Sequence, residues 1–284
     1  MSELDVLFEE NDNKEYQPFD KDEWIRQKQE DRDTAFAMID DAAQNLTSVD
    51  KLNQYLDVQS RFDRYSVSNA LLVTAQMPQA TKLLDSGRWK KNGAFIKKGE
   101  KGIMILEPGE SFKRSDGSAG VQYNVKKVFD ISQTNAKRRE TTKKEPDYKK
   151  LVKALVKTSP VPMKISEEIP EGMNASYNPE NKVIFVRQGL EGADVFRALS
   201  VEIAFAKTDQ GSFSRKDNAF QAYCVSYMDC RRSGIKPPAG KPMQPFNGKE
   251  AKEIRSELGK IRDEANSISS VIQKQLEPKS KDAR

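Results

Sequence analysis

The sequence predicts an α+β protein: N-terminal helices with a small antiparallel sheet, then a mostly helical second half ending in a long charged helix. Two observations carry this. Apolar residues recur at three- and four-residue spacing up to about residue 76 and again beyond residue 193. Between these stretches, Gly87, Gly93, Gly99, Gly102 and Gly109 break the chain into short segments of β character. No internal repeat interrupts the order.

The elements follow along the chain. Residues 1–21 read as a disordered acidic tail, and residues 22–45 as a helix whose apolar stripe includes Trp24, Ala35, Phe36, Met38, Ile39, Ala42, Ala43 and Leu46. Ser48 or Asp50 can cap a second helix that runs to Arg61, and a third helix over residues 66–76 must stop before Pro78. GAFIKK, GIMILEP and VQYNVKKVFD read as strands, the last entered through a KRSDGSAG hairpin loop. Residues 22–135 thus form one expected domain and residues 136–150 a charged linker. A second domain is expected over residues 151–240, with a helix at 147–157, short strands at 162–165 and 182–186, and helices at 193–209 and 216–232. Ser233-Gly234 and Pro237-Pro238 end the last of these. Residues 246–284 form a charged helix and tail, with Ile254, Leu258, Ile261, Ala265, Ile268 and Ile272 on one narrow stripe that must pack on the body or on a partner.

Composition removes whole classes of chemistry. The chain has no histidine, so imidazole metal ligands, Ser-His or Cys-His pairs and imidazole acid–base catalysis are excluded. Cys224 and Cys230 lie six residues apart in one expected helix, about 9 Å along its axis, too far for a disulfide and facing different directions. Free thiols, an acidic N-terminus and no long apolar run together lead to the expectation of a cytoplasmic protein without a membrane partner. The net charge of +5 is unevenly distributed, because acidic residues dominate the first 33 positions and leave the remainder distinctly basic. A basic body attracts polyanions.

Arg88, Lys90, Lys91, Lys97, Lys98 and Lys101 crowd one short stretch, opposed only by Glu100, with Trp89 and Phe95 among them. Lysines neutralise phosphates, and an exposed ring gives a base a platform worth about 1–3 kcal/mol. The same residues also suit a soluble sheet with a buried tryptophan and solvated lysines. Residues 30–135 resemble the N-terminal domain of ArdC-type antirestriction proteins and of LtrC-like proteins of conjugative elements. The likeness lies in Tyr65-Ser66 and Asn69, Gln76-Met77-Pro78 with Ala80-Thr81, Trp89, the turn Lys97-Lys98-Gly99-Glu100-Lys101, and Val128-Phe129-Asp130-Ile131-Ser132-Gln133-Thr134. That resemblance implies single-stranded-DNA binding, with Trp89, Lys90, Lys91, Lys97, Lys98 and Lys101 as contacts and Tyr65 and Asn69 touching bases. Tyr65, Asn69 and Trp89 read equally well as structural residues.

The resemblance also implies a zinc-metallopeptidase-like second domain with HExxH on a helix and an acidic ligand on the next. Here RALSVEIAFAKTD places Val201 and Phe205 at the histidine positions and keeps only Glu202, while Gln221-Ala222-Tyr223-Cys224-Val225-Ser226-Tyr227 lacks the acidic residues. The expectation is a degenerate domain with no metal, no cofactor and no catalytic residue, in which Glu202 is a hydrogen-bonded carboxylate. The expected function is non-enzymatic single-stranded-DNA binding for a mobile or conjugative element, with antirestriction as its role. The alternative is an adaptor for conjugation or replication proteins. Oligomeric state is left open.

Overall fold

The computed structural model describes residues 20–137, 145–240 and 246–277. The N-terminal acidic segment up to residue 19, residues 138–144 of the expected linker and the final residues lie outside the described residues.

Helix α1 (Lys21–Gln44) starts at Asp20, whose carboxylate accepts the N–H groups of Asp22 and Glu23 at 2.9 and 3.1 Å. Ala35, Ile39 and Ala43 are its buried positions. Trp24 and Phe36, expected in the apolar stripe, are instead 46% and 39% exposed. Phe36 follows Ala35 and is turned about 100° away from it. Ser48 caps α2 (Val49–Arg61) through the N–H of Lys51 at 3.3 Å, and Ser66 caps α3 (Val67–Gln76) through that of Asn69 at 3.2 Å.

A three-stranded sheet follows: β1 (Leu83–Leu84), β2 (Ile103–Lys113) and β3 (Ala119–Asp130), in the order β1-β3-β2 with both pairings antiparallel. β2 and β3 form a long ribbon with a register shift between Pro108 and Ser111. Two expectations are corrected here. Residues 86–91 form a short helix, α4 (Ser86–Lys91), capped by Asp85 through the N–H of Arg88 at 2.7 Å. GAFIKK is not a strand: it makes a single isolated bridge, between Ile96 and Thr134 in the segment that follows β3.

The second half contains α5 (Tyr148–Val156), β4 (Met163–Ile165), β5 (Ala175–Asn178), β6 (Val183–Val186), α6 (Gly192–Thr208) and α7 (Arg215–Arg232). Its sheet runs β4-β6-β5, with β4 parallel and β5 antiparallel to β6; β5 had no counterpart in the sequence reading. Helix α8 (Ala251–Leu276) buries all six of its expected apolar positions. At about 2 kcal/mol for each large aliphatic side chain, that stripe fixes α8 to the body. Cys224 and Cys230 are both buried and unbridged.

The halves are joined directly. The α7 side chains Tyr223 and Tyr227 donate to Asn53 and Asp57 of α2 at 3.1 and 2.9 Å, and Arg231 pairs with Asp57. One hydrophobic cluster includes Ile39 and Leu56 of the first half as well as Ile203, Val225 and Ile261 of the second. Among the described residues, no helix is long and apolar enough to cross a membrane.

Candidate nucleic-acid interface

The cationic stretch is one excursion of chain with both ends tied to β3 and the turn that follows it. At its start, Trp89 is 2% exposed and its indole N–H donates to the Phe129 carbonyl at 2.9 Å. At its end, the Gln133 amide donates to the Lys101 carbonyl at 2.8 Å and to the Glu100 carboxylate at 3.0 Å. Between them, the Lys97 N–H donates to the Gln133 carbonyl at 3.0 Å, and the Phe95 N–H to the Asn135 side chain at 2.8 Å. Gly93 and Gly99 take positive φ angles of 71° and 84° at the two sharp bends, where a Cβ would introduce strain.

Lys90, Lys91, Lys97, Lys98 and Lys101 are all exposed. None of the five is in an ion pair among the described residues, and the Lys97 ammonium donates to the Ser132 carbonyl at 2.8 Å. Phe95 lies among them and is 58% exposed. The excursion therefore holds cations and one bare ring on a loop whose backbone is fixed at both ends.

The other three expected contacts belong to the framework. Trp89 cannot serve as a base platform, because its faces are buried and its one polar atom is bonded. Asn69 is also withdrawn: its amide donates to the Leu106 carbonyl at 2.9 Å and accepts the Leu106 N–H at 2.7 Å. Gln76 makes the same pair of bonds with Met104, at 3.0 and 2.8 Å. Two side-chain amides of α3 thus close the outer edge of β2, and Pro108, next on that edge, has no N–H to present. Tyr65 is half-buried and stacked on Phe62 with ring centroids 5.2 Å apart. Burial raises its hydroxyl pKa above the ordinary value, against the opposing charge of Arg88.

Asp130 explains the rest of the motif. It is 1% exposed and accepts the N–H groups of Thr81 (2.6 Å), Lys82 (2.8 Å) and Ser132 (2.9 Å), together with the Ser132 hydroxyl (2.7 Å). Burial alone would raise its pKa, but these donors outweigh burial and hold it below the usual carboxylate range. The sequence marked Phe95 as a ring within the cluster but favoured Trp89. A single-bridge segment leaves its ring outside the core, whereas a tryptophan on a short helix against a sheet is drawn in.

In the second half, Glu202 is 3% exposed and fully engaged. Its oxygens accept Arg215 at 3.1 and 2.5 Å and the Tyr177 N–H at 2.7 Å. The Arg215 guanidinium also lies 4.3 Å from the centre of the Phe205 ring. Phe213 meets both Phe205 and Tyr177 edge to face, at 5.6 and 5.3 Å between centroids. Val201 and Glu202 line a cleft of about 350 Å³ with Asn174, Asp194, Arg197 and Pro238. Gln221, at an expected ligand position, donates to Glu264 of α8 at 2.6 Å.

No family model and no curated protein matches the sequence. Solved structures match the fold, two of them of one protein. The metal-free crystal structure of the antirestriction ArdC protein from plasmid R388 superposes with a TM-score of 0.51 at 19% identity, covering 74% of this chain and 85% of that one. The Mn(II)-bound structure of the same protein gives a TM-score of 0.52 at 18% identity, over 74% and 84%. The chain has an ArdC-type fold. Within that fold a divalent ion does not suit the residues around Glu202: its carboxylate is bonded to an arginine and a backbone N–H, and its neighbours one and three positions away are Val201 and Phe205. Among the described residues, no group of three or more histidine, cysteine or acidic side chains could hold a metal ion.

Proposed function

We propose that the chain is a non-enzymatic single-stranded-DNA-binding protein of a mobile or conjugative element, acting in antirestriction. The observation that carries this reading is the tethered excursion from Trp89 to Lys101. There, Lys90, Lys91, Lys97, Lys98 and Lys101 face solvent around an exposed phenylalanine. The lysines contact phosphates, and Phe95, rather than Trp89, stacks on a base; unpaired bases offer a face that duplex DNA conceals. The antirestriction role is supported by the ArdC-type fold, since the matched structures are of an antirestriction protein from a plasmid.

The absence of enzymatic activity is supported by the state of Glu202. A general base needs a free lone pair facing substrate, and this carboxylate neutralises Arg215 and receives the Tyr177 N–H. No step of the proposed function passes through a metal.

Fluorescence anisotropy of the full chain with labelled oligonucleotides tests the proposal. Single strands should bind more tightly than a duplex of the same sequence. Replacing Lys97, Lys98 and Lys101 together by glutamate should weaken single-strand binding by about 100-fold at about 0.1 M salt. Equal affinity of wild type and variant would refute the site.

A further inference from the structure

The β2–β3 ribbon has two faces of different character. In the regular alternation of β3, residues 119, 121, 123, 125, 127 and 129 share one face and residues 120 to 130 of even number share the other. The even face is turned toward α1, where Gln122 and Asn124 line a cleft with Trp24, Ile25, Lys28 and Arg32. The ribbon's carboxylates are on that side. Glu107, opposite Asn124, pairs with Lys126 at 3.2 Å, and Glu110 lines the same cleft.

The odd face has no carboxylate. Its cross-strand pairs are Lys113 with Ala119, Ser111 with Val121, Pro108 with Tyr123, Leu106 with Val125, and Met104 with Lys127; Leu106 is buried and Val125 packs partly against the core, so the solvent-facing positions lie on either side of that pair. Tyr123 is 42% exposed and Val121 44%, and Lys127 and Lys113 are exposed with no ion pair among the described residues. This face begins where the cationic excursion ends. Gly102, which follows Lys101, lies directly against Lys127 and Phe129: a Cβ there would be 2.9 Å from Lys127 Cβ and 3.1 Å from the Phe129 ring.

We propose that a single strand bound at the Phe95 excursion continues along the odd face of the ribbon, with Tyr123 stacking on a base and Lys127 and Lys113 holding phosphates. This path rests on the single-strand reading above and extends its binding site. A partner protein would use the apolar residues equally well, but it would not require cations at both ends of a face cleared of carboxylates. Cations flanking an exposed aromatic ring match the alternation of phosphate and base along a single strand. The ribbon's 11-residue β2 strand spans about 35 Å, enough to add several nucleotides to the footprint.

The experiment compares oligothymidylates of about 6 and about 20 nucleotides, bracketing much of the range seen for single-strand-binding modules. They are titrated against the full wild-type chain and a Tyr123→Ala/Lys127→Ala variant, with circular dichroism confirming the fold. The expected result is about a 10-fold loss for the longer oligonucleotide and no change for the shorter one, which the excursion holds alone. Unchanged affinity at both lengths, or an equal loss at both, overturns the path while leaving the excursion as the site. Failure of the wild type to bind either oligonucleotide overturns both readings.

Discussion

The cationic excursion and the Glu202 region treat charge in opposite ways. In the excursion, hydrogen bonds from Trp89, Gln133 and Asn135 fix the backbone and leave the ammonium groups of Lys90, Lys91, Lys98 and Lys101 to solvent. At Glu202, the charges face each other. The carboxylate is buried, the guanidinium of Arg215 covers it, and Phe205 and Phe213 pack around them. A charge held ready for a ligand needs a rigid support and an empty front, whereas a charge that completes a core needs a partner at van der Waals distance. Basic residues are frequent in both halves, so position relative to the framework, and not their number, separates the two uses.

Substitutions on either side of this contrast test it. Trp89→Ala should have the largest effect, costing about 3–5 kcal/mol of stability through lost packing, with the lost bond to Phe129 adding to it. Chemical denaturation read by circular dichroism measures it, and loss of DNA affinity without loss of stability would return Trp89 to the interface. Next, Arg215→Met should cost about 3 kcal/mol by leaving the Glu202 carboxylate buried without its cation. A Glu202→Gln/Arg215→Met double variant should recover much of that, and neither change should alter single-strand affinity.

A smaller effect, and one that depends on pH, is expected at Asp229. This residue is 1% exposed, one of its oxygens lacks a partner, and burial raises its pKa well above that of a free carboxyl, with Glu264 nearby adding to the effect and Arg232 opposing it. Lys207 of α6 also opposes it, and Ser269 of α8 donates to it at 3.5 Å. The folded state therefore keeps a proton that the unfolded state releases above about pH 4. This contribution to stability is complete below that pH and is lost as pH rises toward the folded pKa. Asp229→Asn imitates the protonated form, so it should flatten the decline of stability from pH 5 to pH 8, as followed by thermal melting across that range. A decline as steep as that of wild type would show Asp229 to be ionised in the fold.

Elements with local signals were legible in the sequence. Ser48 and Ser66 mark helix starts through bonds reaching only three residues, and the α8 stripe repeats often enough to fix which face is buried. What the sequence concealed depends on distant partners. Asn69 looks like an exposed polar contact until the β2 edge, 37 residues away, takes both ends of its amide. The helix α4 has six residues, too short to show a period. Of the eight expected contacts, the structure puts the five lysines on the surface, Trp89 and Asn69 in the framework, and Tyr65 half-buried against Phe62. The alternation in VQYNVKKVFD already places Tyr123 and Lys127 on one face, but only the position of α1 shows which face stays open.

The most direct measurement is the salt dependence of single-strand affinity for the wild type and a Lys97→Gln/Lys98→Gln/Lys101→Gln variant. If these ammonium groups meet phosphates, the slope of log affinity against log salt should be shallower in the variant by about 2, or roughly 0.7 for each contact removed. Parallel lines for the two proteins would contradict the account.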